Sequence, residues 1–270
     1  MKKKHVLFVS FLCLALLIVL AAVLAPYLVP YDPFAASLTD ALKPPSAEHL
    51  FGTDKLGRDL FSRVIYGSRA SLASALALVA CIFALGSVIG IAAGYFGGWI
   101  DAVLMRLADM MISFPGMVLA IAVAGILGAS MTNAVIAVAL VSWTKYARLS
   151  RSLVLKIKGC EYLAAARLTG SRTGHIMWRY LFPNAVPTLV ITAATDIGSM
   201  MLELAGLSFL GFGAQAPMAE WGLMLSEGRS YMQKAPWMMV FPGLAIFCVV
   251  VVFNLLGDSL RDVLDPREEE

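Results

Sequence analysis

Nowhere in the 270 residues does a Gly-x-x-x-x-Gly-Lys-Ser/Thr loop occur, so the chain has no usual phosphate cradle of its own for ATP. Charge is scarce too. Asp, Glu, Lys and Arg make up 14% of the sequence against 60% apolar residues, and the mean hydropathy is +0.80. Such a composition excludes a soluble globular domain and makes a bilayer the solvent. Histidine occurs only at His5, His49 and His175, outside the middle of any predicted span, so this chain alone builds no His-rich metal site in the membrane. Of four cysteines, Cys13, Cys81 and Cys248 lie in apolar runs and Cys160 in a basic stretch; none forms Cys-x-x-Cys, which leaves neither a disulfide framework nor a zinc site. Ser, His and Asp are not grouped for nucleophilic chemistry, so no enzyme is expected. The net charge of +3 comes with no nucleic-acid motif.

Six apolar runs are present. The first, residues 6–25, follows Lys2, Lys3 and Lys4; it exceeds the 7–15 residues of a secretory signal core and is long enough to cross the hydrocarbon. The second, 71–95, is rich in the small residues that let membrane helices pack closely. The third, 102–127, places Arg106 and Asp109 three apart, a predicted pair near the inner interface, and Pro115 predicts a kink that suits either a moving wall or plain packing. The fourth, 132–153, passes Trp143 and Tyr146 at an interfacial level and reaches Lys145, Arg148 and Arg151. The fifth covers 185–210 and the sixth 237–256. Between Lys145 and Pro183 eight Lys or Arg face one Glu, which assigns that stretch and both termini to the cytosol. The expected fold is all-α and polytopic, with six transmembrane helices in the cell membrane. It divides into a stub with the first helix (1–27), an extracytoplasmic loop (28–69), a transmembrane core (70–258) and a cytosolic tail (259–270).

The fifth run carries Asp196 and Glu203, seven residues apart and so nearly on one helical face. At mid-bilayer an acid costs about 2.5–3.5 kcal/mol on insertion scales, so both are expected to face a cavity or the bundle interior. Lining the translocation path and holding a neighbouring helix are both open. Met200 and Met201 between them are soft candidate ligands that are equally suited to filling gaps. No metal ligand set follows.

The basic stretch 161–183 reads EYLAAARLTGSRTGHIMWRYLFP. A short helix with Ala164, Ala165 and Ala166, a turn at Gly170 and a restart near Pro183 is predicted. Its small side chains let another surface approach closely. This pattern resembles the cytoplasmic signature loop of permease subunits of binding-protein-dependent ABC importers. The resemblance makes 157–183 the loop that engages the ATPase, with Glu161, Ala164, Ala165, Ala166, Gly170 and Pro183 as coupling residues. The family pattern opens Glu-Ala-Ala, whereas the acidic position here is Ala164; Glu161, three residues earlier, shares its face.

Two more motifs resemble the dipeptide, oligopeptide and nickel branch of those permeases. One is HLFGTDKLGRDLFSRVIYGSRASL at 49–72, carried by Gly52, Thr53, Asp54, Gly57, Arg58 and Asp59; its charges are expected to order the loop rather than touch a ligand. The other is the 196–222 region with Ala216-Pro217 and Ala219-Glu220-Trp221-Gly222, followed by the DSLRDVLDP ending. These wordings look more nickel-type than peptide-type. The resemblance therefore implies a type I ABC importer permease fold and a cargo of nickel, free or chelated, with dipeptide or oligopeptide import as the alternative. It implies a homologous second permease, two cytosolic ATPase subunits that hold ATP and magnesium, an extracytoplasmic substrate-binding protein and surrounding lipid. This subunit would need no cofactor. An autonomous carrier or channel is the rival class, and it leaves the 161–183 loop unexplained.

Overall fold

The computed structural model describes residues 2–264; among them there are ten α-helices and no β-strand. Helix α1 (Lys2–Leu28) is an apolar rod with Pro26 in its last turn. Residues 29–59 follow as an ordered loop with one 3₁₀ turn at Leu38–Asp40. Helix α2 (Leu60–Phe96) starts eleven residues before the predicted span. The cause is Asp59, whose carboxylate accepts from Ser62 N at 2.7 Å and caps the helix, while Arg63, which reads as a loop residue, is buried. At 37 residues α2 is roughly 55 Å long, well beyond the hydrocarbon thickness.

The predicted third span is two helices, α3 (Gly98–Ile112) and α4 (Gly116–Leu127), bent by 91° across Ser113–Pro115. Pro115 lacks the N–H that would continue the ladder and disfavours helical backbone at Phe114, so the break falls there. A three-residue turn leads to α5 (Met131–Lys158), capped by Ser130. Asn133 Nδ2 reaches back to the carbonyls of Leu127 and Gly128 at 2.8 and 2.9 Å, which satisfies the open end of α4. Beyond α5 lie α6 (Glu161–Leu168) and α7 (Thr173–Ile176). A π-helical turn, Met177–Leu181, then runs into α8 (Phe182–Phe209). Pro183 thus sits in the first turn of α8 without stopping it, because the widened turn absorbs the missing donor. Helices α9 (Trp221–Arg229) and α10 (Trp237–Leu264) complete the chain. The predicted tail from Asp265 onward lies outside the described residues.

Four helical stretches are individually long and apolar enough to cross a membrane, and the bent α3–α4 pair makes a fifth. Helix α5 coincides with the predicted fourth span, but its second half carries Lys145, Arg148, Arg151, Lys156 and Lys158. It packs on α2 with little separation: a Cβ at Gly90 would fall 2.2 Å from the Ala147 carbonyl oxygen, and one at Gly86 2.5 Å from that of Trp143. Helix α8 lies between two cores. One joins Leu78, Ile82, Ala124, Ala137, Leu204 and Leu207; the other joins Ala22, Leu60, Leu72, Met201, Trp221 and Phe253. A third core of Ile91, Val154, Leu163, Ile176 and Leu181 seats α6 and α7 on the ends of α2 and α5.

Candidate functional site

A cavity of about 510 Å³ opens where the α3–α4 bend meets α5 and α8. Phe114, Pro115 and Gly116 of the bend line it, with Thr144 and Lys145 from α5 and Asp196, Met200 and Glu203 from α8. The heptad spacing of the two acids does bring them to one wall. Met201, one residue on, turns about 100° away and is buried in the core with α1, α2 and α10 instead.

Asp196 is only 3% exposed, and its Oδ1 accepts from Lys145 Nζ at 2.6 Å. Lys145 reads in the sequence as one more inside-positive charge. Its long stem instead carries the ammonium into the cavity. The neighbouring cations of α5 follow suit. Arg148 pairs with Asp109, so the predicted Arg106–Asp109 pair is replaced by a contact between helices, and Arg151 Nη2 donates to Asp101 Oδ2 at 2.6 Å. Spaced by three, these cations line one side of α5 and tie it to α3 and α8.

At the opposite end, the 52–59 motif is a buried charge network. Asp54 Oδ2 accepts from Arg58 Nε at 2.5 Å, and Asp54 Oδ1 accepts from the backbone N–H groups of Leu56 and Arg58. Arg63 lies 3.5 Å from Asp54, and Glu227 of α9 faces Lys55, Arg58 and Arg63 at 3.2–3.6 Å. Asp59 Oδ1 contacts His49 Nδ1 at 2.9 Å. Thr53 donates its hydroxyl to the Asp40 carbonyl, and its own carbonyl accepts from the Trp237 indole at 3.2 Å. Gly57, at φ +74, lies against Ser37, whose carbonyl oxygen would be 1.7 Å from any Cβ there; Gly52 is also left-handed. The charges order the loop, as expected, but from the interior rather than on a wetted surface. Arg63 and Glu227 belong to the Asp54 network, and only their burial reveals it; His49 forms a separate pair with Asp59.

Glu220 caps α9, accepting from Gly222 N and Leu223 N at 2.9 and 2.8 Å and from Ser71 Oγ of α2 at 3.2 Å. Burial pushes its carboxyl above the usual carboxylate range.

The 161–183 stretch forms the predicted helix and turn, but helix resumes at Thr173, ten residues before Pro183. Ala164, Ala165 and Ala166 lie on α6, with Ala166 turned inward and Ala165 and Glu161 exposed. Gly170, at φ +79, closes the turn, and among the described residues nothing lies within 4 Å of where its Cβ would be. Leu168 just before it is 89% exposed, and Pro183 is exposed as well.

Residues 86–270 match the family described as binding-protein-dependent transport system inner membrane component, and residues 3–45 match the N-terminal TM domain of oligopeptide transport permease C. The chain is 43% identical over 265 residues to the dipeptide transport system permease protein of Alkalihalophilus pseudofirmus, covering 98% of this chain and 87% of the relative. It is 45% identical over 251 residues to the nickel transport system permease protein of Escherichia coli K12, covering 93% and 91%. The glutathione transport system permease protein of Pectobacterium atrosepticum is 46% identical over 253 residues, covering 93% and 84%. Among solved structures, an inward facing methionine ABC transporter aligns with a TM-score of 0.54 at 19% identity, over 72% of this chain and 95% of that one, and so shares its fold. Membrane-length helices, shared fold and family matches converge: the chain belongs to the inner membrane components of binding-protein-dependent transport systems, the permease subunits of ABC importers.

Proposed function

We propose that the cavity between the α3–α4 bend, α5 and α8 is this subunit's share of the translocation path, and that its cargo is a short peptide. The size of the cavity carries this reading. At about 510 Å³ it lies in the range of sites for small organic molecules, far more than a bare divalent cation held by close oxygen ligands requires. Among the described residues, no three His, Cys, Asp or Glu side chains gather to hold such a cation. Nickel inside an organic chelate is the second reading. It is favoured by the 45% identity to a nickel permease and makes the same demand on the cavity.

Energy enters from outside the chain. Two ATPase subunits holding ATP and magnesium would engage α6 and the Gly170 turn, where Leu168 offers an uncovered apolar side chain. A substrate-binding protein would deliver cargo at the opposite end, and a second permease would close the path. The test is ATP-dependent uptake of a labelled dipeptide by the importer reconstituted with its ATPases, second permease and binding protein, with and without excess nickel chloride. Dipeptide uptake that nickel does not compete is the expected result. Nickel uptake without peptide uptake would overturn the peptide reading, and uptake without ATPases would restore the carrier.

A further inference from the structure

The two oxygens of the Asp196 carboxylate are unequal. Oδ1 accepts from Lys145 Nζ at 2.6 Å, whereas Oδ2 is shielded from solvent, and the buried Tyr146 hydroxyl interacts with the same carboxylate. The two partners are unequal as well, since the Asp196 side chain is 5% exposed and that of Lys145 57%. A buried carboxylate without a counter-cation is strongly disfavoured, whereas an ammonium on a flexible four-carbon stem returns to water easily. Asp196 therefore needs a cation beside it, and another ammonium can serve in place of that of Lys145. Glu203 lies on the same wall.

We infer that Asp196 is a subsite for a primary ammonium on the cargo, and that the Lys145 ammonium is the stand-in that fills it when no cargo is present. This rests on the peptide reading of the cavity. An arriving zwitterion places its ammonium on the Asp196 Oδ1 that Lys145 has held, and offers its carboxylate to the Lys145 it has displaced. One ion pair is exchanged for two, and no charge is left bare at any stage. Replacing one ammonium by another is close to neutral in energy, so the cargo is held without being trapped. The same argument selects against solutes lacking a cationic group, which have nothing to give Asp196 in return for Lys145.

The competing role is a plain tie between α5 and α8, and reversing the charges separates the two. Initial rates of dipeptide uptake are compared in the reconstituted importer for wild type, Asp196→Asn, Asp196→Glu and the swap Lys145→Asp with Asp196→Lys, with subunit assembly checked by co-purification. Asp196→Asn is expected to lower uptake at least tenfold in an assembled complex, Asp196→Glu to recover at least threefold over it, and the swap to stay at least tenfold low because its buried ammonium repels the cargo's own. Restored uptake in the swap, or uptake by Asp196→Asn within twofold of wild type, overturns the subsite and leaves the peptide reading standing. Failure of both Asp196→Asn and the swap to assemble assigns a structural tie and overturns it too. A wild-type importer that carries no peptide overturns the cargo reading, and the subsite falls with it.

Discussion

Arg58 and Glu227 meet at 3.2 Å across 169 positions of sequence, with side chains only 3% and 11% exposed. This contact joins the loop before α2 to α9, and Arg63 and Lys55 share the same carboxylate. Removing Glu227 leaves the buried Arg58 and Arg63 to share the single carboxylate of Asp54. Glu227→Ala is therefore expected to cost about 3–5 kcal/mol, read as a lower denaturation midpoint in detergent. A loss below about 1 kcal/mol would mean that these charges are hydrated and independent.

The α2–α5 contact makes a second prediction. A methyl group at Gly90 has to occupy space 2.2 Å from the Ala147 carbonyl oxygen and 2.7 Å from Ser150 Cβ, both on a packed helix. Gly90→Ala is expected to destabilise the subunit by about 1–3 kcal/mol. Gly159→Ala, whose added carbon would meet only Lys156 O at 3.7 Å, is the control and should leave the melting temperature unchanged.

At Gly170 space is not limiting, because among the described residues nothing lies within 4 Å of where its Cβ would be; the backbone is. A β-branched residue at φ +79 costs about 1–3 kcal/mol locally and reshapes the turn. Gly170→Val is expected to abolish uptake while the subunit remains inserted and abundant. Unchanged uptake and unchanged coupling of ATP hydrolysis would remove this turn from the mechanism.

Orientation is checked by labelling. With Cys13, Cys81, Cys160 and Cys248 replaced, a cysteine at Thr39 is expected to react with an impermeant reagent from outside intact cells and one at Ser171 only after permeabilisation. The reverse pattern would invert the topology.

Hydropathy and charge were enough to place every long helix, because lipid imposes a long apolar run on each segment that crosses it. They were blind to direction. The right angle at Ser113–Pro115 leaves the composition of 102–127 unchanged, and Pro115 marks the break without its size. Polarity also misleads at the start of α2, where Arg63 reads as loop but is buried by pairing with Asp54 and Glu227. The acids of the cavity were legible because a carboxylate in an apolar run has few places to go. Lys145 was not, since a lysine near a helix end satisfies the inside-positive pattern wherever its ammonium points. Met200 and Met201 are equivalent as letters, and only the phase of α8 sends one to the core that borders the cavity and the other to the core with α1, α2 and α10.

The brevity of α4 bears on how this membrane protein is made. Twelve residues of helix span about 18 Å, short of the roughly 30 Å of hydrocarbon, and α5 is burdened with cations along its second half. Neither helix is a good passenger for the insertion machinery alone. They are, however, joined by a three-residue turn whose open carbonyls Asn133 satisfies, and Ala120, Ala124, Ala134 and Ala137 lie in one core. Entry into the bilayer is thus expected to be a two-helix event, in which α4 gains a stable place only once α5 has followed it.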